Sequence, residues 1–139
     1  MFMSHEPSRA CSKYVDVPYA DRGRGPAGWD CWGLIYYLSR NYFGNHVPSY
    51  LDCYESARTQ DSVSRAIVIN AKAWKRIEIG EEEPGDVVVL TLAGYPIHAG
   101  LILESGYMLH CMEGRGTVRE SYLVNAWRHR IEGLYRWIS

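Results

Sequence analysis

The residues of this chain best suited to chemistry are one cysteine and two histidines, Cys31, His98 and His110. Cys31 follows the loop GPAGWD and begins a stretch with helical periodicity, and Asp30 is a residue type that commonly caps a helix. We therefore expect the Cys31 thiol at a helix N-terminus, where unpaired N–H groups and the helix dipole favour an anion. Because the thiolate is the reactive form of cysteine, this position is typical of a nucleophile.

The helix dipole alone is too weak to ionise Cys31 at neutral pH. It is worth about 0.3–1 kcal/mol and at best about 2 kcal/mol, whereas one pKa unit corresponds to about 1.4 kcal/mol. The dipole therefore lowers a thiol pKa of about 8.5 by roughly one unit. A nucleophilic Cys31 consequently requires a nearby imidazole as general base, and that base requires a residue to orient it.

His98 and His110 lie in apolar, strand-like segments on either side of a turn at Ser105–Gly106. If the hairpin is centred on Glu104, the two imidazoles lie directly opposite at about 5 Å; centred on Ser105, they are diagonal neighbours at about 7–8 Å. A two-residue turn would shift the register by one and place them on opposite faces. A functional pair therefore predicts an odd-length loop, with His98 as the base and His110 as its orienter.

Acyl transfer also needs hydrogen-bond donors for the oxyanion. The backbone N–H of Cys31 is one, and the phenol of Tyr19 is a candidate for the second. Alternatively, Tyr19 is an aromatic side chain that only lines the wall of the site. Gly100, beside His98, is expected to leave room above the sheet for the Cys31 helix. Cys31, His98 and His110 could instead form a zinc site with an open position, although no short motif supplies two ligands.

The other cysteines, Cys11, Cys53 and Cys111, are expected to be inert free thiols. The sequence contains no C-x-x-C pair, which argues against a zinc ribbon or a thioredoxin-like motif. A domain of this size does not need disulfides for its stability. Cys111 points to the opposite face from its neighbour His110, so we expect it to pack in the core.

Size and composition predict one folded domain over residues 1–139. The chain is 47% hydrophobic and 13% aromatic, with 5 Trp and 11 Tyr, which argues against disorder. The formal net charge of −1 provides no basic face for nucleic acid. We find no apolar run near the roughly 18 residues of a membrane span and no secretory signal pattern. We therefore expect synthesis in a cytoplasm and delivery by another agent.

The order of the sequence patterns predicts an α+β fold with an antiparallel sheet. Helical patterns come first in the chain. They predict a short helix within residues 1–14, a helix capped by Asp30 and stopped at Gly44, and a further helix from about Ser62 to Lys75. Strand patterns follow at residues 86–92, 97–104, 107–113 and 117–120. A helix capped by Ser121 is then predicted through Trp127, before a closing strand at residues 131–138.

The succession of GWDCWGL, PGDVVVL, HAGLIL and LH resembles the NlpC/P60 family of cysteine peptidases, from about residue 14 to about residue 120. The resemblance implies a pared-down papain-like fold with helices packed on an antiparallel sheet. It also implies Cys31 as nucleophile, His98 as base and His110 as the third, orienting residue. No cofactor and no metal are expected.

The resemblance also assigns residues around the nucleophile. Tyr19 matches the family tyrosine that assists at the oxyanion. Asp30 and Trp32 flank Cys31 and are expected on the oxyanion or substrate-binding side. Trp32 stands where many cell-wall members have a serine that helps to bind the N-terminal side of the substrate.

The fuller pattern is similar to the phage-tail branch of the family. Three features carry this likeness: the segment RGRGPAGWDCWGL, the inserted segment with Trp74, and the ending GTVRESYLVNAWRHRIEGLYRW. This likeness implies hydrolysis of peptidoglycan stem peptides, typically between D-glutamate and the diamino acid. The implied location is the virion tail, acting at the bacterial cell wall or periplasm, and the implied partners are tail-tip proteins. We recognise no SH3-like or LysM-like module, so wall targeting is expected to come from those partners.

Two further hypotheses remain at this point. The same fold could serve as a structural tail-tip or assembly component with little or no activity. The same three residues could also support an amidase or acyltransferase that acts on a different acyl group.

Overall fold

The computed structural model describes residues 5–56, 70–124 and 126–138. Within these ranges it is an α+β fold with an antiparallel sheet, as the sequence predicts. The α-helices are α1 (His5–Cys11) and α2 (Cys31–Tyr42), with 3-10 turns at Ser12–Tyr14 and Ala71–Ala73. The strands are β1 (Arg24–Gly25), β2 (Gly28–Trp29), β3 (Trp74–Ile77), β4 (Val87–Leu92), β5 (Tyr95–Glu104), β6 (Tyr107–Met112), β7 (Gly116–Ser121) and β8 (Ile131–Trp137).

Six of these strands form one sheet in the order β3-β8-β4-β5-β6-β7, and every neighbouring pair is antiparallel. β1 and β2 form a separate two-stranded ribbon just before α2. None of the helices in the described ranges is long and apolar enough to cross a membrane.

The six-stranded sheet has two buried faces, because alternate residues of a strand point to opposite sides. The helix face packs against α2, and its buried residues include Val87, Val89, Ala99, Leu101, Leu109 and Cys111. The histidine face is covered by the segment between β7 and β8, and its buried residues include Val88, Leu90, His98, Ile102, Met108 and His110.

Helix α2 forms where the sequence predicts it. Asp30 is the N-cap, and Leu34, Ile35 and Leu38 are fully buried against the helix face. The helix ends before Gly44, whose φ of 66° lies in the left-handed region that glycine adopts without strain. The same cap and apolar stripe that start the helix therefore fix its buried side.

The turn between β5 and β6 differs from the prediction. Glu104 pairs with Tyr107 across a two-residue turn at Ser105–Gly106, so the expectation of an odd-length loop is wrong. The register then shifts between Ile102 and Glu104, and Ile102 pairs with Met108. A β-bulge of this kind places an extra residue in one strand and moves the register by one.

The bulge restores the alignment that the two-residue turn would otherwise have removed. Leu101 pairs with Leu109, and continuing this register places His110 opposite Gly100 and diagonal to His98. The prediction that His98 and His110 share one face is therefore confirmed, and of the two registers left open by the sequence the structure has the diagonal one, although the loop is of even length.

One predicted helix is absent from the described residues in which it was expected, and another ends earlier than predicted. Ser121 ends β7, and the described residues after it form bends at 122–124 and turns at 126–129, with Tyr122 and Trp127 in the core. The helix predicted over residues 121–127 is therefore wrong. Residues 62–69 of the helix predicted from about Ser62 to Lys75 lie outside the described ranges, whereas Asn70 is helical and Ala71–Ala73 form a 3-10 turn. Its end is wrong, because Trp74 and Lys75 begin β3 and pair with β8.

Candidate active site

The N-terminus of α2 is organised around the carboxylate of Asp30, which is fully buried. Its Oδ1 accepts hydrogen bonds from the backbone N–H of Gly33 and from the Arg24 guanidinium, both at 2.8 Å. Its Oδ2 accepts from the Arg22 N–H at 3.1 Å and from the Tyr54 hydroxyl at 2.6 Å. These four donors tie the RGRG loop to the first turn of α2, the turn that carries Cys31.

A close backbone approach fixes the same turn. A Cβ on Gly33 would lie 1.8 Å from the carbonyl oxygen of Gly23, and a Cβ on Gly23 would lie 2.2 Å from that of Gly28. By contrast, a Cβ on Gly25 would meet no atom within 4 Å. The loop therefore crosses α2 at a distance that only glycine allows.

Cys31 is a protonated thiol in this environment. Burial, together with the neighbouring Asp30 carboxylate, raises the pKa of its thiol to about 12. A hydrogen bond from the Ala99 backbone and the charge of Arg24 act in the opposite direction without cancelling the effect of burial. The helix N-terminus therefore does not make Cys31 a resting thiolate, and a nucleophilic role would require a base that removes its proton.

The sulfur of Cys31 lies where strands β5 and β6 separate. Counting from the turn, Leu101↔Leu109 is the last backbone pair that joins β5 to β6. Beyond it, the Ala99 N–H is directed at the Cys31 sulfur. Since Ala99 directly follows His98 in the chain, Cys31 on the helix face lies against the peptide that carries the histidine.

His98 and His110 form a buried hydrogen-bonded pair on the histidine face. His98 Nε2 lies 2.8 Å from His110 Nδ1, and His110 Nε2 lies 2.8 Å from Glu120 Oε1. The side chains are 4% and 0% exposed. Within the described part of the chain, the hydrogen bond of the His98 ring runs to His110, and none joins it to the Cys31 sulfur.

Both imidazoles are neutral at physiological pH. Burial lowers the pKa of His98 to about 3, and the neighbouring His110 and Arg115 contribute in the same direction. Burial also lowers the pKa of His110, although the hydrogen bond and charge of Glu120 oppose it. A neutral imidazole has one nitrogen lone pair and can therefore accept a proton from a thiol.

Sequence reasoning missed Trp127 and Glu120. Trp127 is 4% exposed; its ring stacks on His98 at a centroid distance of 5.6 Å and meets His110 edge-on at 5.3 Å. Trp127 was placed in a helix, so its sheet-facing position was hidden. Glu120 was recognised as part of a strand. Pairing that strand with β6 places Val118 opposite His110 and puts Glu120, two residues further on, on the same face, and this was the signal that could have revealed it.

Tyr19 and Trp32, the other two aromatic candidates from the sequence, both make packing contacts. Tyr19 pairs with Trp29 through a parallel bridge and packs against the core of the helix face. Trp32 is 9% exposed; its indole N–H donates to the Pro48 carbonyl at 2.9 Å, and its ring packs on Tyr50. Trp32 is therefore largely a packing residue that fixes the segment around Pro48.

Gly100 does not make room for α2, contrary to the expectation. A Cβ on Gly100 would lie 2.7 Å from the Met108 sulfur, so the Met108 side chain fills this space on the histidine face. Helix α2 instead packs over Ala99 and Leu101 on the helix face. The prediction was wrong because it assumed that the histidines and the helix share one side of the sheet.

The four cysteines are free thiols, as predicted. Cys11 and Cys111 are buried in the core of the helix face, and the Cys111 thiol donates to the Trp29 carbonyl at 3.4 Å. In residues 5–56, 70–124 and 126–138, no group of three or more His, Cys, Asp or Glu side chains is arranged to hold a metal ion.

Comparison with known proteins connects this geometry to one family. A curated relative, protein P54 of Enterococcus faecium, is 29% identical over 107 residues, which are 77% of this chain and 18% of P54. The chain therefore spans less than a fifth of the length of that relative.

Solved structures share the fold at low sequence identity. The NlpC/p60 domain of the peptidoglycan hydrolase SagA has a TM-score of 0.66 at 18% identity, covering 96% of this chain and 97% of that domain. RipD of Mycobacterium tuberculosis, described as a non-catalytic NlpC/p60 domain protein adapted to peptidoglycan binding, has a TM-score of 0.61 at 17% identity, with 98% of each chain covered. Residues 16–136 match the sequence model of the NlpC/P60 family. The protein belongs to the NlpC/P60 family.

Proposed function

We propose that this protein is a cysteine peptidase that hydrolyses amide bonds in the stem peptides of peptidoglycan. The observation that carries the proposal is the His98–His110 hydrogen bond of 2.8 Å beside the peptide against which the Cys31 sulfur lies. A nucleophile, a base and an orienter for that base are the groups that thiol-dependent acyl transfer requires. The description of SagA as a peptidoglycan hydrolase supports the choice of substrate.

In the first step, His98 takes the thiol proton while Cys31 Sγ attacks the carbonyl carbon of the amide. The Cys31 N–H, which has no acceptor within α2, and the Tyr19 hydroxyl stabilise the oxyanion. His98 then gives the proton to the departing nitrogen, the C–N bond breaks and an amine leaves. The acyl group remains on Cys31 as a thioester.

In the second step, water attacks the thioester while His98 takes one of its protons. The tetrahedral intermediate collapses, the C–S bond breaks and the proton returns to the Cys31 sulfur. The products are a carboxylic acid and the regenerated thiol. His110 keeps the His98 ring oriented in both steps. Catalytic hydrogen bonds are often long before substrate binds, so the Cys31–His98 contact is expected to form with substrate in place.

The finer assignment is cleavage between D-glutamate and the diamino acid by a protein of a phage tail tip. It rests on the sequence likeness to the phage-tail branch through RGRGPAGWDCWGL, Trp74 and the C-terminal segment. We further propose that the protein is made in the host cytoplasm and carried by the virion to the cell wall, with tail-tip proteins as partners. Mass spectrometry of purified particles tests this assignment, and absence of the chain from them would refute it.

The catalytic proposal is tested on purified muropeptides with wild-type protein, Cys31→Ala and Cys53→Ala. We expect new free amine and carboxyl ends from the wild type, identified by mass spectrometry. Loss of the nucleophile is expected to lower kcat/KM by at least about 10³-fold. Cys53→Ala, which alters a thiol that hydrogen-bonds to Asp52 and Asn70, is the matched control and is expected to cleave at the wild-type rate. Equal cleavage by Cys31→Ala would refute the mechanism.

A second candidate function, peptidoglycan binding without hydrolysis, is favoured by one observation. Trp127 covers His98, which is only 4% exposed and has no hydrogen bond to Cys31 in the described structure. RipD provides a relative in fold that is described as non-catalytic and peptidoglycan-binding. Retention of wild-type protein on peptidoglycan sacculi, with no cleavage products and no difference in Cys31→Ala, would establish this alternative.

A further inference from the structure

Glu120 is an acidic residue that the mechanism above does not use. In β7, Glu120 pairs with Met108 and Val118 pairs with His110. Because alternate strand residues share a face, Glu120 lies diagonally beside His110 on the histidine face. Its Oε1 is 2.8 Å from His110 Nε2, and His110 Nδ1 is 2.8 Å from His98 Nε2. Glu120, His110 and His98 therefore form a continuous line of hydrogen bonds.

The direction of the first hydrogen bond follows from the charge of Glu120. Burial by itself raises the pKa of this carboxyl, but polar contacts with His110 and Trp127 outweigh that effect and hold the pKa below its ordinary value. Glu120 is therefore a carboxylate at neutral pH, and a carboxylate only accepts hydrogen bonds. His110 Nε2 must consequently carry a proton and donate it to Glu120.

The direction of the second hydrogen bond follows from the neutrality of both histidines. A neutral imidazole has one N–H and one lone pair. With its proton on Nε2, His110 presents the Nδ1 lone pair to His98. His98 must then donate from Nε2, which leaves the lone pair on its Nδ1. That nitrogen is the one free to accept the Cys31 proton.

We infer that Glu120 is a positioning residue that fixes the tautomers of both histidines, so that His98 Nδ1 is the basic nitrogen of the site. The inference rests on the proposed function for the use of that nitrogen in catalysis, whereas the direction of the hydrogen bonds does not depend on it. Glu120 acts through His110 rather than on the substrate. Without it, His110 has no fixed acceptor for its Nε2 proton, and the pair can adopt the opposite polarity with a proton on His98 Nδ1.

The surroundings hold Glu120 in place for this role. Arg115, in the turn between β6 and β7, brings its Nη1 to 3.5 Å from Glu120 Oε1. Trp127 contacts the carboxylate and packs on both imidazoles from the segment before β8. His98 and His110 on β5 and β6, together with Arg115 and Glu120 itself, are the charged or titratable groups that interact across this part of the histidine face.

The decisive experiment is two-dimensional ¹H–¹⁵N NMR of protein with ¹⁵N-labelled histidine, which distinguishes the two neutral tautomers directly. We compare the wild type, Glu120→Ala and Glu120→Gln at pH 7.5, with Glu104→Gln as the matched control. Glu104 is an exposed carboxylate that pairs with Arg119, outside the histidine pair. The wild type and Glu104→Gln are expected to carry the Nε2–H tautomer at both His98 and His110.

Glu120→Ala is expected to give a mixture of tautomers that includes Nδ1–H at His98. Glu120→Gln is expected to keep the wild-type tautomers, because its amide oxygen accepts the same hydrogen bond. In muropeptide cleavage, Glu120→Ala is expected to lower kcat by about 10- to 100-fold, at most the lower limit of the contribution of general-base catalysis, while KM stays within about twofold. Glu120→Gln is expected to restore most of that loss.

An Nδ1–H tautomer at His98 in the wild type would overturn the inference, and so would unchanged tautomers and kcat in Glu120→Ala. The wild-type spectrum decides the hydrogen-bond direction even if Glu120→Ala fails to fold, and Glu120→Gln preserves the shape of the side chain. Wild-type protein with the expected tautomers but no cleavage would refute the proposed function while supporting the tautomer assignment. Cleavage with tautomers that are independent of Glu120 would refute only the inference.

Discussion

The helix face and the histidine face of the same sheet hold their reactive groups in different ways. On the helix face, Cys31 is fixed by an N-cap carboxylate with four donors and by the close approach of Gly23 to Gly33. On the histidine face, His98 and His110 are held by one line of hydrogen bonds and by the ring of Trp127. The position of Cys31 therefore depends on a capped helix turn and a close main-chain approach, whereas the position of His98 depends on contacts between side chains.

This difference predicts how each face responds to mutation. Changes on the helix face should affect the free energy of unfolding, because they disturb a buried charge or the main chain. Changes on the histidine face should affect protonation, because the imidazoles are kept neutral by burial.

The largest effect on stability is expected for Asp30→Ala. It leaves the Arg24 guanidinium and the Tyr54 hydroxyl without their buried acceptor and removes the helix cap. Breaking a buried ion pair by removing one partner costs about 3–5 kcal/mol. Urea unfolding measures the change, and Asp52→Ala, at an exposed carboxylate, is the control with little expected effect. A loss below about 1 kcal/mol for Asp30→Ala would mean that the cap is not what holds the turn that carries Cys31.

A smaller loss is expected for Gly33→Ala. The new Cβ would lie 1.8 Å from the Gly23 carbonyl oxygen, which belongs to the main chain and cannot rotate away. Overpacking of this kind typically costs about 1–3 kcal/mol. Gly25→Ala is the matched control in the same loop, because its Cβ would meet no atom within 4 Å. Equal urea midpoints for the two variants would contradict the close approach.

The smallest effect is the pH dependence that His98 confers on stability. Its folded pKa, about 3, lies below the ordinary value, so the unfolded chain binds the additional proton. The free energy of unfolding should therefore decrease as the pH falls below about 6.5, by at most about 1.4 kcal/mol per pH unit for this group. His110 contributes in the same direction.

Urea unfolding of the wild type and His98→Gln between pH 7.5 and pH 5 measures this contribution. We expect a shallower pH dependence for His98→Gln, and wild-type behaviour for His129→Gln, which alters an exposed histidine. Parallel curves for the wild type and His98→Gln would show that His98 is not kept neutral by the fold.

The parts of the structure that were predicted correctly depend on local sequence. The Asp30 cap and the stripe of Leu34, Ile35 and Leu38 determine α2, because neighbouring residues alone set helix start and period. The β-branched run of β4 and the apolar run of β5 likewise identify strands. The helix predicted to begin at Ser121 failed because Tyr122 and Trp127 are buried by contacts with distant strands, which local pattern does not contain.

The features of the candidate site likewise separate into those that local sequence predicts and those that depend on tertiary contacts. The sequence by itself placed Cys31 at a helix N-terminus and His98 and His110 in neighbouring strands, since both features follow from residue order and spacing. Only the tertiary structure decided that a bulge after Ile102 aligns the histidines on the face opposite α2, and that Glu120 and Trp127 complete their surroundings. Register and side-chain contacts across strands depend on packing between segments far apart in the chain, and no local pattern encodes them.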